Sequence, residues 1–289
     1  MPTKEAVRRE LDSANNIYEI LEVMKHLASS QYSQAKKKSE GVYIGMIETI
    51  SEGLLETIVN MKFGSMTDPF IDVACPQVGI VVVTSDQAFM GAMNTKIVKT
   101  AKQVASQFKD YQFMVTGKKG ARKFKFYNDP FVPFPMLKDG PALREVTDLV
   151  MNHVIEQFKQ KKMGKLYVVA AENVSFTKQE IRGRQLLPFR DICAEEKVKS
   201  KVSEETYLES PLTTITEYLA RLWLSSKLYA IFLSAKAAEF GALATQMESN
   251  LGNVKKVQKK LQLMYKRARN EKVDASMREI FVSTMVAGG

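Results

Sequence analysis

Between Pro211 and the C-terminus the chain has no proline, and its apolar side chains recur there in alternating steps of four and three residues. Ile215, Leu219, Leu222, Ser226, Tyr229, Leu233, Lys236, Phe240, Leu243, Met247, Asn250, Val254, Val257, Leu261, Met264 and Ala268 keep the alternation, with Ser226, Lys236 and Asn250 its polar members. Proline breaks a helix interior by removing an amide donor and clashing with the preceding turn, so its absence permits a long helix. A mean step of 3.5 residues says more: it is the period of a helix that winds against a partner helix, and a polar residue in the seam fixes register at some cost in stability. A helix of about 70 residues is about 105 Å long. No domain that this chain could build is that wide, so the helix is expected to project.

A partner stands at the other end of the chain. No proline occurs between Pro2 and Pro69, and Val7, Leu11, Ala14, Tyr18, Leu21, Ala28, Tyr32 and Ala35 keep the same step, with Lys25 as the polar intruder. Ile17, Ile20, Met24 and Leu27 form a second stripe beside the first, expected to widen the buried face. The pattern predicts an N-terminal helix running to about Met61. Residues 1–62 and 211–289 are therefore read as two helices able to wind antiparallel as a coiled coil.

The other eight prolines fall from Pro69 to Pro211, and there the period changes. Gln77–Asp86, QVGIVVVTSD, is a continuous apolar run ending in turn residues, the pattern of a strand buried on both faces. A helix is expected over Asn94–Phe108, a strand over Tyr111–Gly117, a helix over Ala142–Lys161 and a strand over Lys165–Ala171. Strands alternating with helices argue for a small parallel, Rossmann-like α/β domain over residues 70–210. The fold class expected is α/β, with two long terminal helices flanking that domain.

Composition narrows the function. The formal charge is +10 with an isoelectric point near 9.4, which suits an anionic partner: nucleic acid, lipid or acidic protein. No uninterrupted apolar run approaches the roughly 20 residues that span a bilayer, and MPTKEAVRRELDSANNIYEI lacks the apolar core of a signal peptide. A chain that is cytosolic, or on the cytosolic side of a membrane assembly, and not itself transmembrane is expected. Cys75 and Cys193 lie far apart without CxxC spacing, and scattered Cys and His do not suggest the four ligands of a structural zinc site; both thiols are expected to be reduced and packed.

Catalytic signatures are missing. Neither GKKG at 117–120 nor DQAFMGAMN at 86–94 fits GxxxxGK[ST], and GxGxxG does not occur, so no cofactor is expected. Asp86 ends the first strand, where such folds bind ligands; the plainer alternative is that Asp86 or Ser85 caps a following turn or helix. His153 and Glu156 are three apart on an expected helix without further metal ligands. Nothing presents a nucleophile, base and orienting group together, and an enzyme using Asp86 remains only a rival reading.

The basic charge is concentrated. Between Asn250 and Lys272 stand six lysines (255, 256, 259, 260, 266 and 272) with Arg267 and Arg269, against Glu271 alone. Such a face is often merely solvated. Of the functional readings, a protein partner leads a nucleic-acid one, because only Tyr265 lies near the charge and nucleic-acid binders interleave aromatic or base-reading side chains.

The sequence resembles the gamma subunit of F-type rotary ATP synthases over nearly its whole length. Leu11, Ser13, Asn16, Ile20, Val23, Met24, Leu27 and Ala28 stand where that family reads I-x-S-x-x-N-x-x-x-I-x-x-A-M-x-x-V-A. SDQAFMGAMN keeps Ser85, Asp86, Gly91 and Asn94 of the family's SDRGLCGGFN, and Gln185–Pro188 matches a Q-L-L-P strand. Glu239, Ala242, Met247 and Asn253 match one C-terminal block; Leu261, Tyr265, Ala268, Arg269, Glu279 and Ile280 match the next. Leu243 departs where the family has an arginine used against a catalytic subunit. Asn270, Val273, Asp274 and Ser276 keep only part of the polar set after that.

The resemblance implies a non-catalytic central shaft, peripheral to the cytoplasmic face of the inner (plasma) membrane. Its partners would be the alpha and beta subunits of a hexamer, an epsilon subunit and a membrane c-ring, with no nucleic acid. Met24, Lys25, Glu239, Gln246, Lys266, Arg267, Arg269, Asn270 and Asp274 are the partner contacts it implies, with Met24 and Lys25 facing the basic stretch 255–269. A gamma-like subunit of a specialised ATPase, or less closely a coiled-coil scaffold or nucleic-acid binder, are the alternatives.

Overall fold

The computed structural model describes residues 3–39, 75–88, 90–189 and 210–287, with residues 41, 45, 49, 50, 53, 70 and 71. Most of the helix expected between Ser39 and Met61, and Cys193, lie outside the described residues; Cys75 is a free thiol. The chain divides into two compact units, residues 30–242 and residues 1–29 with 243–289. That division differs from the boundaries at 62, 70 and 210 expected from periodicity. Two helices contribute to both units: α1 (Lys4–Ser39) and α5 (Leu212–Ala287).

In the larger unit, β1 (Val78–Val83), β2 (Tyr111–Thr116), β3 (Phe131–Phe134), β4 (Lys165–Asn173) and β5 (Gln179–Leu187) form one sheet in the order β3-β2-β1-β4-β5. The first four strands are parallel, with Val81 of β1 in register with Met114 on one side and Val168 on the other. β5 returns antiparallel, so the sheet is mixed rather than wholly parallel. The five residues 174–178 suffice for a hairpin, whereas a parallel return needs a crossover of a dozen or more.

Both faces of the sheet are covered, which is why β1 is buried at all six positions. On one face α2 (Gly91–Ala105) and α3 (Lys118–Phe126) set Ile97, Val98, Ala101 and Phe124 over Ile80, Val82, Phe113 and Val115. On the other, α4 (Pro141–Lys159) supplies Val146, Val150 and Val154, and the first turns of α5 supply Leu219, Trp223, Leu224, Leu228 and Phe232. α5 is the one described helix long and apolar enough to cross a membrane, but over half of its most apolar window is buried inside the fold. Tyr32 and Ala35 of α1 pack with Ala237 and Phe240.

The smaller unit is a pair of antiparallel helices. Glu5 meets Lys272, Asn15 meets Gln258 and Lys25 meets Glu248, so numbers rise on one helix as they fall on the other. Val7, Ala14 and Leu261 are buried in the seam, with Leu11, Met264 and Tyr265 against them. On α5 the inward positions run Met247, Leu251, Val254, Gln258, Leu261, Tyr265 and Ala268, while Val257 is half exposed. The alternation is the expected one, displaced by a residue at 251, 258 and 265. The second stripe is a correction: Ile17, Ile20 and Leu27 are each at least half exposed, as is Val23. A helix with a single partner buries only a narrow a/d seam, and the wider face needs a second neighbour.

Candidate partner interface

The loop after β1 was the natural place for a ligand. In the structure its polar groups are committed to the fold. Both carboxylate oxygens of Asp86 accept backbone amides of α3, from Lys118 at 2.9 Å and Lys119 at 2.7 Å. Asp86 therefore caps a helix, as the plainer reading held, although the helix is the one after β2 rather than the one after its own strand. Gly117 starts that helix at φ +86°, a backbone angle that L side chains adopt with strain. Asn94 closes the loop, accepting from the Ser85 amide at 3.0 Å and donating to the Ser85 carbonyl at 2.7 Å. The residues of SDQAFMGAMN that carried the resemblance are thus fastening a strand-to-helix crossover.

His153 packs edge-on against Phe134 at 5.6 Å between ring centroids, and burial pushes its pKa down. Glu156 instead accepts a hydrogen bond from Gln160. Among the described residues no three His, Cys, Asp or Glu side chains are grouped to hold a metal.

The nine expected contact residues separate. Lys266, Arg267, Arg269, Asn270 and Asp274 are exposed on α5. Lys256, Lys259, Leu263, Lys266 and Asn270 follow at three- and four-residue steps and so share one face of the helix. Further along, Met277, Ile280, Phe281 and Met285 are all about two-thirds exposed. The solvent face of α5 thus grades from lysine to apolar side chains toward its end. Gln246 is exposed and donates to Asn250 at 3.1 Å.

Two expectations are corrected. Lys25 does not face the basic stretch: it lies opposite Glu248, bonded at 2.8 Å, and that hydrogen bond raises its pKa. The residues opposite 255–269 are instead at the start of α1, where Lys255 lies over Tyr18 and Lys4 over Tyr265. Met24, on the same turn as Lys25, is half-buried. Glu239 is not a surface residue: it is 6% exposed, in the larger unit, and bonded to Lys236, itself 3% exposed, at 3.2 Å. Burial pushes the Glu239 carboxyl up, opposed by the Lys236 ammonium and the Ser85 hydroxyl. Leu243, where the resemblance has an arginine, is buried in the smaller unit.

What sequence reasoning missed is the apolar surface. Ile17, Ile20, Val23 and Leu27 on α1, and the end of α5, leave large apolar side chains in solvent. The available signal was their position outside the a/d seam, in a helix with one partner. Contiguous exposed apolar residues mark interaction surfaces.

Comparison with known proteins agrees over nearly the whole chain. The ATP synthase gamma chain of Streptococcus mutans is 27% identical over 282 residues, 95% of each chain, and that of Streptococcus agalactiae is 26% identical over the same span. Among solved structures, a chain of the Euglena gracilis mitochondrial ATP synthase in its c-ring assembly superposes with a TM-score of 0.64 at 17% identity, covering 98% of this chain and 94% of that one. That likeness establishes the fold. The sequence profile of the ATP synthase family matches residues 3–285, and the chain belongs to that family.

Proposed function

We propose that this chain is the central shaft, the gamma-type subunit, of an F-type rotary ATPase. The observation that carries the reading is the two-helix unit, whose seam is sealed while its outer faces carry bare apolar and lysine-rich stripes. An outer surface of this kind suits an enclosing partner, here the hexamer of alpha and beta subunits. A shaft that differs from side to side cannot touch three equivalent neighbours identically. Each orientation favours a different conformation at each neighbouring site, and an equilibrium can be shifted only by such differential contact. Turning the shaft exchanges those states and couples ion flow to ATP synthesis or hydrolysis. The shaft supplies no catalytic group; the nucleotide chemistry belongs to the other subunits.

In this reading Lys266, Arg267, Arg269, Asn270, Asp274 and Gln246 meet the hexamer, joined by Ile17, Ile20, Val23, Met24 and Leu27 and by the apolar end of α5. The α/β unit engages the epsilon subunit and the c-ring. The assembly is peripheral to the cytoplasmic face of the inner (plasma) membrane. Tagging the chain in its host and purifying gently tests this: an ATPase-active assembly of several hundred kilodaltons is expected. An isolated, inactive chain from an extract whose rotary ATPase stays intact would overturn the assignment.

A further inference from the structure

α2 and α3 lie against one another over one face of the sheet, and neither contains an acidic residue. Lys96, Lys99, Lys118, Arg122 and Lys125 are exposed on this layer, with no ion pair among the described residues. The carboxylates in the adjoining loops are already engaged: Asp129 pairs with Lys102 at 2.8 Å, Asp86 caps α3, and Asp110 accepts from Gln77 at 3.4 Å. Where α3 ends, Phe126 is 80% exposed and stands edge-on to Tyr127, half exposed, at 5.3 Å. The Lys102 ammonium sits 3.7 Å from the centre of the Tyr127 ring.

We propose that this layer is a docking surface for an anionic lipid bilayer. A cluster of four to eight cationic side chains near a helix surface is the charge pattern that anionic headgroups attract. The aromatic pair at one end supplies what charge alone does not, because rings with one wet side settle at the headgroup level. Lysine outnumbers arginine four to one among the unpaired cations. Lysine offers a compact point charge suited to headgroups, whereas arginine brings the planar fork that stacks on bases and grips phosphate bidentately. The layer is built by two adjacent helices whose outward residues are lysines, and the exposed rings lie beyond the last turn rather than between the charges, so it lacks the aromatic-lined track of a single-strand binder. This surface is separate from the helix pair, and the proposal goes beyond the shaft assignment without depending on it.

Cosedimentation of the purified full chain with vesicles tests it, using phosphatidylcholine alone and phosphatidylcholine with about a third phosphatidylglycerol. Binding to the anionic vesicles alone is expected. Each cation near such a surface is worth on the order of fivefold in partitioning, so Lys99→Gln, Arg122→Gln and Lys125→Gln together should weaken binding on the order of a hundredfold. Phe126→Ala should weaken it roughly tenfold through lost ring burial. Lys256→Gln, Lys259→Gln and Lys260→Gln on α5 remove the same charge and should change binding by less than about threefold. The proposal fails if the α5 variant loses as much as the α2–α3 variant, since net charge would then be the cause. It fails equally if neutral vesicles bind as well, if neither kind binds, or if a single-stranded oligonucleotide binds more tightly and is lost with the same three residues. Circular dichroism establishes that each variant is folded. None of these failures touches the shaft assignment, which is read from copurifying ATPase activity.

Discussion

Replacing Glu239 by leucine perturbs the most deeply buried ion pair among the described residues. Lys236 and Glu239 sit one helical turn apart on α5, 3.2 Å from nitrogen to oxygen and almost wholly buried, with Asp139 at 3.7 Å from the same ammonium but largely in solvent. Removing one partner of a buried pair costs about 3–5 kcal/mol, because the survivor is left uncompensated in a low-dielectric site. Asp139 remains near Lys236, so Glu239→Leu should fall at the low end, about 3 kcal/mol. Lys236→Met leaves a carboxyl that can hold a proton and still hydrogen-bond Ser85, so its cost should be smaller, about 1–3 kcal/mol. The two together should lie within about 1 kcal/mol of the parent, since apolar isosteres often replace a buried pair without loss. Urea unfolding of the full chain and its three variants closes the double-mutant cycle. At a slope near 3 kcal/mol per molar, Glu239→Leu should lower the midpoint by about 1 M. A cost under about 1 kcal/mol, or a double variant as unstable as Glu239→Leu, would refute the claim that these two charges compensate one another.

Other perturbations separate fold from function. Reversing Lys266, Arg267 and Arg269 to glutamate should leave the melting temperature nearly unchanged, because all three are exposed, while ATP-driven ion pumping by the assembled complex falls relative to its ATPase rate; fully coupled pumping would count against these contacts. Asp86→Ala removes the cap of α3 and should cost about 1–2 kcal/mol, with Asp86→Asn milder; equal losses for both would show that the cap is not the reason. A methyl group at Gly164 would overlap the Cys75 carbonyl oxygen, so Gly164→Ala should destabilise by about 1–3 kcal/mol in thermal melts. Hydrogen bonds from Lys178 and then Arg182 hold the Glu180 carboxyl at about 2, below its ordinary 4.5. A depressed carboxylate stabilises the fold above the unfolded value and loses that contribution as pH falls from 4.5 toward 2. The stability difference between the parent and Glu180→Gln should shrink over that window, and side-chain carbon NMR should place the Glu180 midpoint near its lower edge.

Legibility in the sequence followed how many neighbours an element has. β1, β2 and β4 lie in the interior of the sheet, and their apolar runs announced them. β5 is an edge strand whose Glu180, Arg182 and Arg184 face solvent or the Glu172 carboxylate, so its pattern reads as polar. β3 carries Pro133 within four residues; proline in a strand is admissible only at an edge, so no strand was expected there. α3 was hidden because its inward residues are few, Gly120 and Phe124 among a run of lysines. The coiled seam was visible since the 3.5-residue step is enforced by the partner helix itself. Whether Ile17 or Leu27 was covered could not follow from the step, because the same residues are buried beside two neighbours and bare beside one. Glu239 entered the contact set through the resemblance, and its burial was not legible because a charge is buried only beside a partner such as Lys236, three residues before and equally buried.

The first turns of α5 cover a face of the sheet that is otherwise complete once β5 is made. On a ribosome, Leu187 emerges 45 residues ahead of Phe232. At about 5–20 residues per second, the interval lasts about 2–9 s. Through that interval Val81, Val83 and Val168 lack the cover that α5 gives their cluster, and an apolar sheet face left partly bare is what chaperones bind and what aggregates. A transcript truncated before residue 232 should therefore yield a chain captured by chaperones rather than a free α/β domain. Slow codons placed between these two points would be a hazard, and selection should favour rapid decoding there.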